Sequence, residues 1–345
     1  MSKRKLNRRQ KWRIEKVQAE RAERAARRES LAQSELAEGE TEHEQEGLII
    51  AHYGAQVVVE PKSEQGDYRG ATAKRCHLRA NLGSLVTGDR VIWHDREPMG
   101  VVVARLDRDS ELCRPDPYGD LKTVAANIDR IYIVVAPYPE PHANLIDRYL
   151  VAAETQKIRP VILLNKIDRV DEHNRQQIEA LISPYEALGY DVLRTSTNDI
   201  ESLNALRHSL LSLTSVFVGQ SGVGKSSLIN AMLPEVNTRV GELSALTQKG
   251  RHTTTTAYLF HFPQGGHLID SPGIREFGLW HMERDQLLNG FVEFRPFIGH
   301  CRFRDCQHDQ EPGCAIQQAI QQGAISERRM ASFEHILATL QEART

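Results

Sequence analysis

A guanine-reading tetrapeptide stands ahead of a phosphate-binding loop in this chain, and that order restricts the fold more than any other feature. Residues 219–226 read Gly219-Gln220-Ser221-Gly222-Val223-Gly224-Lys225-Ser226, a complete GxxxxGK[ST] loop. Residues 165–168 read Asn165-Lys166-Ile167-Asp168, the pattern that reads a guanine base. In Ras-like GTPases the phosphate loop comes first. Both loops can line one site in this order only if the chain termini have been moved. The order predicts a circularly permuted P-loop GTPase domain, a mostly parallel α/β sheet with helices on both faces.

The phosphate loop carries its chemistry in its backbone. Gly219, Gly222 and Gly224 let successive N–H groups face inward onto a β-phosphate. Lys225 brings a point charge to the β- and γ-phosphates, which makes it a binding and a catalytic candidate. Ser226 offers a hydroxyl to Mg²⁺. The context fits: Val216-Phe217-Val218 reads as a buried strand, and Ser227 to Leu233 opens a helix whose N-terminus faces the anion. A glycine-rich turn without a ligand is the bland alternative, and the flanking strand and helix argue against it.

Asn-Lys-x-Asp alone is a weak signal. It gains weight because it ends the apolar run Pro160 to Leu164, and ligands of open α/β sheets lie past the carboxyl ends of strands. Asp168 can accept from guanine N1 and N2, Asn165 can reach O6/N7, and Lys166 can lie along the base plane. The run Asp191 to Ser196 ends where a fifth nucleotide motif falls, with Thr195 and Ser196 backing the base. The usual Ser-Ala-Lys is not spelled out there.

His267 to Asp270 reads as a strand that leads into Asp270-Ser271-Pro272-Gly273. In this DxxG pattern Asp270 holds Mg²⁺ through water and the Gly273 N–H meets the γ-phosphate. In Ras the next residue is the glutamine that orients the attacking water. Here it is Ile274, which cannot, so intrinsic hydrolysis is expected to be slow unless another group contacts the water. Residues 237–256 form a long polar connection where switch I belongs. One of Thr253, Thr254 and Thr255 is expected on Mg²⁺, with Thr254 the candidate. The threonine run is also a good strand start into Tyr258-Leu259-Phe260. His252 is the candidate for orienting water, against the plain reading of a loop histidine.

Cys301-x4-Cys306-x-His308-x5-Cys314 gathers three of the chain's five cysteines with one imidazole. Three thiolates and a histidine suit one tetrahedral structural Zn²⁺ per chain, with no open position for catalysis. A disulfide reading leaves an odd cysteine and needs an oxidising compartment. Cys76 and Cys113 carry no obvious chemistry. Leu287, Leu288, Phe291 and Phe294 have helical spacing, and residues 326–343 read as a final amphipathic helix.

Residues 1–28 hold twelve Lys/Arg and three Glu, while residues 29–46 hold seven Glu and no Lys/Arg. Neither half has an apolar face wide enough to pack, so 1–46 reads as a disordered charged tail whose basic half could order on RNA phosphates. Residues 47–107 read as five short strands, at Leu48–His52, Gln56–Glu60, Tyr68–Arg75, Asp89–His94 and Gly100–Arg105, which fit an OB-fold barrel. Tyr53, Tyr68 and Trp93, with Arg69, Lys74, Arg75 and Arg79 nearby, could be stacking platforms for bases or simply barrel filling. The division is thus tail 1–46, RNA-binding barrel 47–107, permuted GTPase domain 108–280 and α-helical zinc-binding domain 281–345. No apolar run is long enough for a membrane span. No signal-peptide pattern is present, and a thiolate zinc site implies the reducing cytoplasm.

An OB-like barrel, a permuted G domain and a Cys-Cys-His-Cys knuckle in that order resemble the RsgA (YjeQ) family, the bacterial small ribosomal subunit biogenesis GTPases. The resemblance covers about residues 47–345 and includes Gly250-Arg251-His252-Thr253-Thr254 ahead of the DxPG. It implies a late-acting, monomeric assembly factor that binds the 30S subunit and 16S rRNA and hydrolyses GTP to GDP when docked. It also implies that His252 is the family's catalytic switch I histidine. The competing reading is an RNA-binding assembly protein in which GTP is a slowly turned-over structural ligand. A metabolic P-loop kinase is less favoured, since nothing marks a small acceptor site.

Overall fold

The structure, a computed structural model, describes residues 44–63, 66, 68, 72–80, 82–115, 121–233, 257–270, 282–309 and 311–342. His252, the threonines 253–255, Arg69, Gly273, Ile274 and residues 1–43 lie outside the described residues.

Five strands roll into a barrel. They are β1 (Glu44–Tyr53), β2 (Gln56–Pro61), β3 (Lys74–Leu78), β4 (Arg90–His94) and β5 (Gly100–Arg105). Their order is β1-β2-β3-β5-β4, and β4 pairs back onto β1 to close the ring, an OB-like barrel. Alternation sets the inward face: β4 buries Val91 and Trp93 and leaves their neighbours partly exposed. Ile49, Val57, Val59, Cys76 and Val102 complete the filling.

Several expectations change here. β3 starts at Lys74, so the strand expected from Tyr68 is shorter and shifted. Glu44, Gln45 and Glu46, placed by sequence in the tail, already pair in β1 with β4. Trp93 is only 1 % exposed. A Cβ on Gly100 would lie 2.8 Å from its ring, so a glycine makes room for the indole. Trp93 therefore fills the barrel and is no stacking platform. The Tyr53 hydroxyl is bonded to that of Tyr258, and Tyr68 donates to Glu46 Oε1 at 2.8 Å. Lys74 sits 2.5 Å from Asp95 and 2.7 Å from Glu97, so its charge is already answered within the chain.

A hairpin not anticipated from sequence, β6 (Glu111–Pro115) with β7 (Leu121–Ala126), follows the barrel. The nucleotide sheet comes next. Its strands are β8 (Arg130–Val135), β9 (Arg159–Asn165), β10 (Asp191–Thr195), β11 (Thr214–Val218), β12 (Tyr258–His261) and β13 (His267–Asp270). The order is β10-β9-β8-β11-β13-β12. All neighbours are parallel except β12, which is antiparallel to β13. Ile131 to Val134 on β8 are completely buried, as expected of a parallel strand covered on both faces. Between these strands run α1 (Ala143–Thr155), α2 (Arg175–Ala187), α3 (Ile200–Ser209) and α4 (Lys225–Met232). Ala51 of β1 pairs with Tyr258 of β12, which joins barrel and nucleotide sheet into one eleven-stranded sheet.

The C-terminal part is helical: α5 (Arg284–Gly290), a 3-10 turn at Val292–Phe297, α6 (Ala315–Gln321) and α7 (Glu327–Glu342). Leu287, Leu288, Phe291 and Phe294 are buried, but across two short pieces. Phe291 adopts extended φ/ψ between them. Phe291 and Phe294 stack at 4.9 Å and meet Phe333 of α7. This cluster docks on α1, where a Cβ at Gly290 would lie 2.4 Å from Val151. Arg329, 1 % exposed, seals the joint. It donates to Asp147 of α1 at 2.5 Å and twice to Glu293, at 2.5 and 3.1 Å.

Candidate functional site

The two loops meet at the carboxyl ends of β8, β9, β10 and β11. Asn165 ends β9, is 1 % exposed, and donates from Nδ2 to the carbonyl of Val223 at 2.9 Å. Lys166 takes a left-handed conformation, φ 59°. That turn aims its ammonium at the carbonyls of Gly222, 2.5 Å, and Tyr138, 3.0 Å. The bonds to Val223 and Gly222 bridge 58 and 56 residues of sequence and weld the Asn-Lys-x-Asp loop to the phosphate loop. One site from two loops in reversed order is the permutation seen directly.

The phosphate loop has the shape its glycines allow. Gly219 and Gly224 have φ of 136° and 99°, where a side chain is strained. Space forbids one as well: a Cβ would come within 2.2 Å of the Val134 carbonyl or 2.4 Å of Asn165 Nδ2. Gly224 precedes α4, so the helix begins at Lys225 with its N-terminus open to the loop. The Lys225 ammonium donates to the carbonyls of Gly219, 2.6 Å, and Gln220, 2.8 Å. Val223 is buried and anchors the loop, while Ser221, Ser226 and Ser227 are exposed. The loop can therefore offer backbone N–H groups, a cation and a hydroxyl to a polyphosphate with its metal.

Asp168 is exposed, yet both its oxygens are held. Ser196 Oγ donates to Oδ1 at 2.5 Å and Asn198 Nδ2 to Oδ2 at 3.1 Å. The Ser196 hydrogen bond, ahead of that from Asn198, keeps this carboxyl below its ordinary range despite partial desolvation. Thr195 lies at the end of β10, fully buried, with Oγ1 lacking a partner among the described residues. Asn165 Oδ1 is likewise buried without a partner among them. Thr195 thus backs the site from beneath, while Ser196 and Asn198 flank the carboxylate. Sequence reading missed Asn198; the signal was its place two residues after Ser196.

Asp270 closes β13, which runs parallel to β11 with Val216 opposite Ile269. The carboxylate therefore lies at the same end of the sheet as the phosphate loop. The rest of the DxxG lies outside the described residues.

The second constellation also assembles. Donor atoms of Cys301, Cys306, His308 and Cys314 all lie within 4.8 Å of one another. Cys301 Sγ and Cys314 Sγ are 3.9 Å apart, and His308 Nδ1 is 3.4 and 3.5 Å from them. Zn–S bonds of about 2.3 Å in a tetrahedron place sulphurs about 3.8 Å apart, so the four donors fit such an ion. Burial raises the Cys306 thiol and lowers the His308 imidazole, a cost that a cation would offset. His308, at φ 61°, turns the chain back so that its ring and Cys306 face one centre.

A GxxxxGK[ST] loop welded to an Asn-Lys-x-Asp motif that precedes it in sequence is the arrangement of a circularly permuted GTPase. Comparison with known proteins narrows this. Residues 105–280 match the family described as RsgA GTPase. The small ribosomal subunit biogenesis GTPase RsgA of Pseudomonas aeruginosa is 60 % identical over 343 residues, 99 % of either chain. That of Azotobacter vinelandii shares the same identity and coverage. The crystal structure of YjeQ from Thermotoga maritima superposes with a TM-score of 0.71 at 30 % identity, covering 87 % of this chain and 99 % of that one. YloQ, described as a circularly permuted GTPase, gives 0.68 at 27 % identity over 89 % and 99 %. The chain belongs to the RsgA GTPase family, and it is a GTP hydrolase.

Proposed function

We propose that this GTPase acts in late maturation of the 30S ribosomal subunit, binding 16S rRNA as a monomer and hydrolysing GTP to GDP and phosphate when docked. The names of its relatives support the subunit. The observation that carries the coupling is the Ala51–Tyr258 pairing, through which barrel and nucleotide sheet become one sheet. A barrel pressed against RNA then bears on β12, and residues 237–256, which contain the switch I candidates, lead into that strand. Among the described residues no helix is long and apolar enough to cross a membrane. Turnover assays with and without small subunits test the proposal. A rate that subunits leave flat favours the second reading, a structural GTP turned over slowly, which Ile274 keeps open.

In this reading Asn165, Lys166, Ile167, Asp168, Thr195 and Ser196 hold the base. Residues 219–227 and Gly273 hold the phosphates. Ser226, Thr254 and Asp270 hold Mg²⁺, which neutralises charge developing on the phosphates. Lys225 stabilises that charge and His252 orients the attacking water. Asp168→Asn is expected to weaken GTP binding and favour xanthosine nucleotides, since an amide N–H would face a guanine donor. Loss of a charged hydrogen-bond pair costs on the order of 2–3 kcal/mol. Calorimetric titration showing unchanged GTP affinity would remove residues 165–168 from the base site.

Cys301, Cys306, His308 and Cys314 hold one structural Zn²⁺. Metal analysis of the purified protein is expected to return one Zn²⁺ per chain. Cys306→Ala is expected to lose it and to expose residues 282–342 to protease while nucleotide binding persists. A zinc content near zero in carefully prepared protein would refute the assignment.

A further inference from the structure

The reading of Asp168 as the guanine-reading carboxylate leaves one side chain unexplained. Asn198 is exposed, belongs to neither base-reading motif as spelled in the sequence, and reaches across 30 residues to Asp168 Oδ2 at 3.1 Å. Its own backbone N–H donates to Ser196 Oγ at 3.1 Å, the hydroxyl that holds Asp168 Oδ1. The loop beneath is fixed: Ser196 N–H donates to Ser202 Oγ at 3.1 Å, and Asp199 caps α3 by accepting from Glu201 N at 3.1 Å. The amide is therefore presented from a built loop, close to the start of a helix.

A carboxylate has about four lone-pair sites, two on each oxygen. Ser196 takes one on Oδ1 and Asn198 one on Oδ2. One site on each oxygen remains. With each oxygen held by a separate donor, the carboxylate plane cannot swing about its terminal torsion, which is otherwise broad. Guanine presents two parallel donors, N1–H and the 2-amino group, and a carboxylate held in plane can accept both.

We propose that Asn198 is a positioning residue for guanine selectivity: it locks the second oxygen of Asp168 so that the 2-amino group is recognised together with N1–H. The inference rests on the base reading of Asp168 and adds to it which feature of the base this chain's loop selects. Hypoxanthine, which keeps N1–H and lacks the 2-amino group, is the discriminating probe. Loss of the lock penalises the ligand that needs both oxygens more than the ligand that needs one.

The test is calorimetric titration of the full chain with GDP, IDP and XDP. Asn198 is exposed, so truncation leaves the fold intact. For Asn198→Ala the expected result is about a five- to tenfold loss of GDP affinity, the scale of one hydrogen bond, with IDP affinity moved less than about twofold. Asn198→Asp sets a like charge against Asp168, and GDP affinity is expected to fall further than with alanine. A merely structural role for Asn198 would lower GDP and IDP by the same factor, and that result overturns the proposal, as does no change for either ligand. Asp168→Asn is the control for the underlying reading. If it fails to shift preference from GDP toward XDP, the base assignment itself is wrong, whatever the Asn198 variants show.

Discussion

Arg329→Ala is expected to lower stability by about 3–5 kcal/mol, the usual scale for removing one partner from a buried ion pair. The cause is what remains behind. Arg329 is the shared partner of Asp147, fully buried on α1, and of Glu293, whose side chain is 6 % exposed. Its guanidinium also lies 4.4 Å over the Phe291 ring, so truncation removes packing as well as charge. Tyr185 would still donate to Asp147 Oδ1 at 2.7 Å, but one neutral hydroxyl cannot replace a guanidinium. The damage is expected to be local. Limited proteolysis should cut within 282–342 first, while the Asn165–Val223 and Lys166–Gly222 bonds keep nucleotide affinity near wild type. Chemical denaturation showing a loss under about 1 kcal/mol would mean that water already screens the triad. A triple variant, Arg329→Met with Asp147→Asn and Glu293→Gln, removes all three charges. It should recover part of the loss, because the penalty comes from unpaired charge and not from the absence of a salt bridge.

The same triad shows where sequence reading ends. The nucleotide loops were legible because their chemistry is local: a backbone cradle needs glycines at set spacing, followed by lysine and a hydroxyl. The barrel was legible because β4 and β5 alternate as half-buried strands do and β2 is a short run of valines. Arg329 and Asp147 stand 182 residues apart, and nothing in either local context marks one as the other's partner. Asn198 was missed for a related reason: its place two residues after Ser196 is local, but its donor role toward Asp168 exists only once β9 and β10 lie side by side. Trp93 was ambiguous because an indole suits a stacking face and a core equally, and only the space at Gly47 and Gly100 decides for the core. The hairpin β6–β7 was missed because Glu111, Arg114 and Lys122 carry charge at positions that read as a polar linker.

The joint between barrel and nucleotide sheet is polar as well as hydrogen-bonded through strands. Glu60 of β2 is bonded to His261 of β12, and His261 Nδ1 lies 2.8 Å from His267 Nδ1 on β13. Tyr53 and Tyr258 join hydroxyls on the same seam. β12 therefore carries side-chain ties in both directions, toward the barrel and toward the strand that ends in Asp270. A loop whose far end runs into such a strand has one end set by the barrel, so the RNA contact and the nucleotide contact of the proposed function would share a mechanical element. Coupling of this kind requires two arrangements of the seam, and the residues that differ between them are expected on the switch side, where the phosphate is sensed.

His252→Ala is therefore expected to act on the rate and not on assembly of the complex. Ile274 cannot orient water, and in the proposed function Lys225 and the phosphate-loop backbone are committed to the phosphates. A group with a proton to share is needed near the attacking water, and in the proposed function that part falls to His252, ahead of the threonine run in the sequence. Loss of a positioned general base or water-orienting group lowers rates by about 10²-fold or more. Subunit-stimulated GTP hydrolysis by His252→Ala should fall by that factor in a multiple-turnover phosphate-release assay. GTP affinity should change little, because in the proposed function the base falls to Asn165 and Asp168 and the phosphates to residues 219–227. Affinity for the small subunit should also persist, since the barrel and the C-terminal helices are untouched. Full stimulated hydrolysis by the variant would instead assign the water contact to a backbone group or to the ribosome, and His252 would be an ordinary loop histidine.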